Sequence, residues 1–189
     1  MSAVFTPTRA QLTVDQFHRM GELGILAPDV RLELIDGEML TMAPIGSRHA
    51  WVVEELGKLL RQQAGDRALV WSQNPVRLSD VDEPQPDIMV LIPRPGHYRD
   101  SLPSGPDVLL AIEVSDTTVA YDRETKLGLY ARHGIQEAWI VNIRDRRLEI
   151  YRDPAGGIYR MKLERNASDT ASPLCLQDLS VALAALLSD

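Results

Sequence analysis

The sequence predicts an α/β fold, and three features of the chain support this. Two apolar stretches, Pro86 to Ile92 and Val108 to Ser115, have the length and composition of strands. The second is so apolar that we expect a strand buried on both faces, as in the middle of a sheet. A stretch with helical character, Asp122 to Gly134, follows it. With 189 residues, no internal repeat and no break in composition, residues 1–189 are expected to form one domain.

The composition limits the function classes. Hydrophobic residues make up 44% of the chain and charged residues 25%, which is normal for a globular protein. The single cysteine, Cys175, excludes an internal disulfide and a cysteine-based zinc cluster. We find neither a membrane-length apolar stretch nor a signal peptide, so we expect a cytoplasmic protein. The net charge of −7 is unusual for a nucleic-acid binder, although a local basic rim or bound divalent ions would offset it.

The N-terminal part predicts a helix and a hairpin. Thr13 and Gln16 have the spacing of a capping box, which indicates a short helix that ends near Leu23. The segment Arg31 to Met42 is typical of a β-hairpin, with Asp36-Gly37 as its tight turn.

A second helix, a strand and an acidic loop come next. Ser47 is expected to cap a helix that reaches about Gln63, with His49 on its apolar stripe. Ala68 to Leu78 predicts a strand, and the acidic loop from Ser79 to Pro84 is expected to be exposed.

The remaining predicted elements lie between the two apolar strands and after the second of them. A long loop separates those strands, and Gly134 is expected to end the helix that follows the second one. The predicted elements are the loop Pro93 to Pro106, a buried strand Ala138 to Val141, a meander of Leu148 to Tyr151 and Tyr159 to Leu163, and a final amphipathic helix Gln177 to Leu187.

Glu113 is the residue that most strongly suggests chemistry. An unpaired carboxylate in so apolar a strand would be costly, so it needs a cation, a metal or a proton. Asp87 and Lys126 are the nearest candidates to share its site. If the two strands are neighbours, the two acids can stand side by side, and Mg²⁺ or Mn²⁺ suits such a pair. Lys126 lies four residues after Asp122, so both can point the same way from the helix.

At this point the chain resembles a known family, the Uma family of putative restriction endonucleases, within the PD-(D/E)XK nuclease superfamily. The resemblance covers roughly Leu12 to Arg152, and the order and spacing of several short motifs carry it. These motifs are Glu33-Leu34-Ile35-Asp36-Gly37-Glu38, His49, Pro86-Asp87, Ile112-Glu113-Val114-Ser115, Asp122 with Lys126, Tyr130-Ala131, Gly134-Ile135 and Glu137-Ala138-Trp139-Ile140-Val141.

The resemblance implies a restriction-endonuclease-like core, which is a mixed β-sheet flanked by helices, here with an N-terminal helix-hairpin extension. It implies Asp87 and Glu113 as Mg²⁺ ligands, with the Val114 carbonyl. The superfamily usually places its lysine two residues after the second acid, where this chain has Ser115. The Uma pattern supplies a lysine from the following helix, so Lys126 is the candidate.

Two more residues are possible members of the site, and others have simpler interpretations. Glu33 would complete the metal shell or position a water, and His49 would hydrogen-bond a carboxylate ligand. An exposed Glu33 and a core His49 are the competing interpretations. Asp122 is most simply the N-cap of its helix, and Tyr130 a core aromatic. The basic cluster of Arg144, Arg146 and Arg147 indicates a solvated turn, with DNA contact as the alternative.

The expected function is therefore Mg²⁺-dependent hydrolysis of DNA phosphodiester bonds, with Asp87, Glu113 and Lys126 as catalytic residues. The first alternative is an inactive module of the same fold that binds nucleic acid or protein. The second is a hydrolase of small phosphates. A homodimer is plausible, with the final helix as one candidate interface.

Overall fold

The computed structural model describes residues 9–187, which form a mixed sheet with helices on both faces and a separate hairpin. The helices are α1 (Val14–Glu22), α2 (Ser47–Ala64), α3 (Val119–Tyr121), α4 (Leu127–Arg132) and α5 (Ala184–Leu187). The strands are β1 (Leu32–Ile35), β2 (Glu38–Thr41), β3 (Leu69–Ser72), β4 (Ile88–Leu91), β5 (Val108–Ser115), β6 (Glu137–Asn142), β7 (Arg147–Ala155), β8 (Ile158–Asn166), β9 (Thr170–Ala171) and β10 (Val181–Ala182). Three 3₁₀ turns and one π-helical segment complete the described part: Gly65–Arg67, Gly105–Asp107, Leu174–Leu176 and the π segment Asp122–Lys126.

The central sheet has the order β3-β4-β5-β6-β7-β8. Its one parallel pair is β5 with β6, and every other neighbouring pair is antiparallel. A parallel pair needs a crossover connection, and the segment from α3 to α4 supplies it. The predicted mixed sheet flanked by helices is confirmed.

The backbone contacts divide the chain into two compact units. The smaller comprises the described residues up to Ala43 and Arg77–Pro84, and the larger comprises Pro44–Val76 with the described residues from Gln85 onward. The central sheet belongs to the larger unit. The expectation of one domain stays a prediction.

Helix α2 packs on one face of the sheet because its apolar stripe matches alternate strand residues. Val53 and Leu56 of the helix share a hydrophobic cluster with Ile88, Leu110 and Ile112 of β4 and β5. Because strand side chains alternate between faces, Glu113 points to the opposite face. Lys126 and Tyr130 contact Glu113 from that side, so the crossover helices cover it.

The capping box and the hairpin form as the sequence predicts. The Thr13 hydroxyl accepts a hydrogen bond from the Gln16 N–H, and the Gln16 side chain returns one to the Thr13 N–H. Asp36 and Gly37 have φ values of 50° and 74°, the left-handed pair that a tight two-residue hairpin turn requires.

Two predicted elements are wrong in extent. The strand expected over Ala68 to Leu78 is only Leu69–Ser72, where it pairs with β4. The final helix expected over Gln177 to Leu187 is replaced by β10 and the short α5. Val181 and Ala182 pair with Ala171 and Thr170 of β9 instead. The apolar pattern of this segment suggested a helix, but the pattern alone does not reveal that a strand partner is present.

The acidic loop before Pro84 was expected to be exposed, but Asp82 and Glu83 are buried. The Asp82 carboxylate accepts hydrogen bonds from the Ser79 hydroxyl, at 2.6 Å, and from the Asp36 N–H, at 2.7 Å. Glu83 Oε1 lies 2.7 Å from His18 Nε2. These partners contact both oxygens of Asp82 and Oε1 of Glu83, which lowers the cost of burying the two carboxylates.

No helix within residues 9–187 has the length and apolar content needed to cross a membrane.

Candidate active site

Asp87 and Glu113 are neighbours on one face of the sheet. The register pairs Ile88 of β4 with Ile112 of β5, so the next pair outward is Asp87 with Glu113. Directly paired residues on antiparallel strands point to the same face. The carboxyl end of β5 therefore presents two acids side by side, and we call this end of the sheet the site end.

Asp87 is held by two hydrogen bonds to the same oxygen, Oδ2. His49 Nε2 lies 3.0 Å away, and the Val114 N–H donates at 2.9 Å. Burial alone would raise the pKa of Asp87, but the bond and charge of His49, the Val114 N–H and the charge of Lys126 together lower it. Asp87 is therefore a buried carboxylate that favours its charged form.

Glu113 is paired with a buried lysine. Lys126 Nζ lies 3.2 Å from Glu113 Oε1, and the Tyr130 hydroxyl donates a hydrogen bond to the same oxygen. Lys126 is only 2% exposed, so it is not a solvated helix lysine. Tyr130 lies one helical turn after Lys126, which brings both side chains onto the face that covers Glu113.

The helix that carries Lys126 differs from the predicted one. The helical segment begins at Val119, and Asp122–Lys126 is a π-helical turn inside it. Asp122 is therefore not an N-cap: it is buried, and its Oδ2 accepts hydrogen bonds from Ser115 and Thr118, both at 2.7 Å. Burial raises the pKa of Asp122, although Lys126 and the two hydroxyls oppose the shift. Single π turns inside α-helices occur often at functional sites.

The same π segment contacts a second buried carboxylate. Glu113 pairs with Ile140 of β6, and Ile140 pairs with Glu149 of β7, so both glutamates point to one face two strands apart. Arg123 binds Glu149 with both Nε and Nη2. Arg123 and Lys126 thus fix the π segment across the sheet at two points.

The oxygen donors at the site end suit a hard divalent cation. Within residues 9–187, no group of three or more His, Cys, Asp or Glu side chains is arranged to hold a metal ion. The donor set is instead two carboxylates, Asp87 and Glu113, with the Val114 carbonyl, which points to the same side of β5 as its N–H. Mg²⁺ is commonly bound by one or two carboxylates, with waters and substrate phosphate as the other ligands, so the set fits it.

The structure brings together four of the side chains that the sequence singled out, and the backbone of a fifth residue. Asp87 contacts His49 and the Val114 N–H, Glu113 contacts Lys126, and the charge of Lys126 also acts on Asp87. Glu33 lies on β1 in the smaller unit and is buried rather than exposed. Its part in the site stays a prediction.

Sequence reasoning missed two members of this group. Tyr130 was interpreted as a core aromatic, yet its hydroxyl binds Glu113. Ser115 was noted only for occupying the usual lysine position, yet it holds Asp122. The four-residue spacing from Lys126 to Tyr130 was the available signal for the first. No local pattern signals the second, because that contact spans the turn after β5.

A mixed sheet with two adjacent acids at one end, covered by a helix that supplies a buried lysine, has the architecture of the nuclease-like α/β folds. The sequence comparison is consistent with this class. A family model described as "Putative restriction endonuclease" matches residues 14–184, and the chain belongs to this family, Uma2.

One solved structure of similar fold is described as a putative nuclease from Anabaena variabilis ATCC 29413. It is 17% identical to this chain, the match covers 94% of this chain and 98% of that one, and the TM-score is 0.70. At this identity the likeness shows the fold. A search of curated proteins found no match.

Proposed function

We propose that this protein is a Mg²⁺-dependent endonuclease that hydrolyses phosphodiester bonds of DNA. The observation that carries the proposal is the pairing of Asp87 and Glu113 on one face of the site end, with the buried Lys126 ammonium against Glu113. Membership of the Uma2 family supports the reaction class.

Asp87, Glu113 and the Val114 carbonyl would hold the ion. When bound, Mg²⁺ or Mn²⁺ polarises the scissile phosphate and lowers the pKa of a coordinated water. His49 and the Val114 N–H keep Asp87 ionised and oriented, which is the state a metal ligand needs.

Lys126 has two roles in this proposal. Its ammonium neutralises Glu113 before the ion arrives, which makes the buried carboxylate tolerable. During the reaction it stabilises the negative charge that develops on the phosphate and orients the attacking water. Asp122, held by Ser115 and Thr118, lies close enough to interact electrostatically with Lys126, which would help to keep the ammonium in the site when Glu113 engages the ion.

The experiment is a cleavage assay with supercoiled plasmid, linear duplex and single-stranded DNA, and RNA, in Mg²⁺, Mn²⁺ or EDTA. Asp87→Asn and Glu113→Gln are expected to lower the metal-dependent rate by at least about 100-fold, because each removes a charged ligand. Asp153→Asn is the control for the cleavage rate: it also removes one carboxylate charge from the sheet, near the end of β7 away from the proposed ligands. Equal activity of Asp87→Asn and the wild type would contradict the site.

A second readout does not need a substrate. Mn²⁺ is expected to raise the Tm of the wild type and of Glu149→Gln, and not that of Asp87→Asn, because an ion that binds only the folded state stabilises it. A shift that persists in Asp87→Asn would place the ion elsewhere.

The second candidate is a non-catalytic module of the same fold that binds nucleic acid or protein. The contact between Lys126 and Glu113 favours it, because a buried lysine can satisfy this carboxylate without any ion. This candidate predicts DNA or protein binding with no Mn²⁺-dependent change in Tm and no cleavage. A homodimer and a cytoplasmic location remain predictions from the sequence.

A further inference from the structure

Three arginines lie at the turn between β6 and β7: Arg144, Arg146 and Arg147. Because β5 and β6 are parallel, this turn lies at the same end of the sheet as the carboxyl end of β5. The backbone shows the proximity directly, since the Ile143 N–H donates to the Ser115 carbonyl at 3.0 Å. The arginines are therefore at the site end.

Arg144 is the most available of the three side chains. It is 64% exposed, and its Nε lies 3.0 Å from Asp116 Oδ1, which is also partly exposed. Arg147 is more than half exposed and lies 3.7 Å from Glu164. Exposed pairs of this kind contribute little to stability, so a phosphate can replace the carboxylate at little cost.

The position of Arg144 suits a substrate that extends beyond the scissile bond. Asp116 follows Glu113 by three residues, so their Cα atoms are at most about 10 Å apart, and Arg144 contacts Asp116. A DNA strand carries a phosphate about every 3.4 Å along the helix axis. A guanidinium at that distance would meet the backbone within a few phosphates of the cleaved bond.

We infer that the two exposed arginines of this turn, Arg144 and Arg147, bind the phosphate backbone of the nucleic acid whose cleavage is proposed above, whereas Arg146 donates to the Leu187 carbonyl. The inference rests on that proposed function and adds a contact that holds the strand beside Asp87 and Glu113. It also accounts for how a chain with a net charge of −7 approaches a polyanion, since local charge sets the encounter.

The chain offers a close control at the opposite end of the sheet. Arg160 is 61% exposed, and its Nη2 lies 2.7 Å from Asp153 Oδ1. It pairs with Asp153 across β7 and β8, four residues before Glu164 and away from the site end. Arg144→Ala and Arg160→Ala therefore remove the same charge, at similar exposure and from similar ion pairs, at different ends of the sheet.

The test is fluorescence anisotropy with a labelled 20-base-pair duplex in EDTA, which prevents cleavage, over a series of salt concentrations. Arg144→Ala is expected to weaken binding and to reduce the slope of log K against log salt by about one. Arg144→Lys should recover most of the affinity, because it keeps the charge. Arg160→Ala should match the wild type.

Removing the carboxylate that competes for Arg144 should change the affinity for DNA in the opposite direction. Asp116→Asn frees Arg144 and is expected to tighten binding, whereas Asp153→Asn adds the same net charge at the other end and should have little effect. Equal losses in the two arginine variants, or no loss in either while the wild type binds and cleaves, would overturn the inference alone. If the wild type neither binds nor cleaves, the proposed function fails together with it.

Discussion

Two buried glutamates on one face of the sheet have closely similar partners but different surroundings. Glu113 and Glu149 lie in the same row, separated by Ile140. Each accepts a hydrogen bond from a tyrosine hydroxyl, Tyr130 or Tyr151, and each binds a cation from the π segment.

The cations differ in chemistry and in exposure. Arg123, at 39% exposed, forms a two-point contact with Glu149, and Lys162 adds a third donor at 3.4 Å. Lys126, at 2% exposed, is the cation on Glu113. A guanidinium holds a carboxylate in a fixed geometry, whereas an ammonium is a compact charge on a flexible stem.

The residues on the adjacent strands also differ between the two glutamates. Glu113 stands beside Asp87, a buried carboxylate, whereas Glu149 stands beside Glu164, a half-exposed carboxylate that Lys162 also binds. Two adjacent buried acids with an ammonium beside them can exchange that ammonium for a divalent ion, and a carboxylate held by an arginine and a lysine cannot do so as easily. We therefore interpret Glu113 as a residue that can coordinate a metal ion when one binds, and Glu149 as the residue that fixes the π segment through Arg123.

The largest difference is expected in catalysis. Lys126→Met should lower the cleavage rate by roughly 10²–10³-fold, the usual cost of removing one group that stabilises developing charge. Lys162→Met removes a lysine from the Glu149 side and should leave the rate unchanged. The measurement is the single-turnover rate in Mg²⁺, with circular dichroism to confirm folding. A fast Lys126→Met variant would assign that lysine to stability alone.

The next difference is in stability. Glu113→Gln removes the carboxylate that the buried Lys126 ammonium contacts at 3.2 Å, which we expect to cost about 3–5 kcal/mol. Glu149→Gln should cost only about 1 kcal/mol, because the partly exposed Arg123 and Lys162 can regain water. Urea unfolding at pH 7 measures both. A larger loss in Glu149→Gln would reverse our interpretation of the two glutamates.

The smallest difference is expected in the pH dependence of stability. Burial would raise the pKa of Glu149, but the bonds from Arg123 and Tyr151 outweigh it and lower the pKa below the usual range of a glutamate. The stabilisation is therefore present above the unfolded-state pKa and is lost as the pH falls through the lower folded-state pKa. From about pH 5 downward, Glu149→Gln should lose less free energy of unfolding than the wild type. Parallel curves would contradict the assigned shift.

Much of the fold was predictable because its signals are local. The apolar run Val108–Ser115 gave the central strand with the correct bounds, and Asp36-Gly37 gave the hairpin turn. The side-chain period of two also placed Asp87 and Glu113 on faces that can meet. The predicted boundaries were wrong where strand pairing determines them, as in β3 and in the segment around β10.

The site was predictable only as a set of acids and a lysine. Nothing in the local pattern distinguishes the buried Lys126 from an exposed helix lysine, and the family resemblance supplied that choice. The π turn, the bond from Tyr130 and the two hydroxyls on Asp122 depend on how the crossover segment packs. Such contacts are produced by tertiary packing, and no single short window of the sequence predicts them.

The amino-acid sequence by itself determined the class of fold, the central strand and the identity of the two acids, because strand periodicity and apolar content are properties of neighbouring residues. Tertiary structure alone decided which cation each buried glutamate receives and which arginines share the site end. Those outcomes depend on the direction of β6 relative to β5 and on the packing of the helix between them, which no short stretch of the chain encodes.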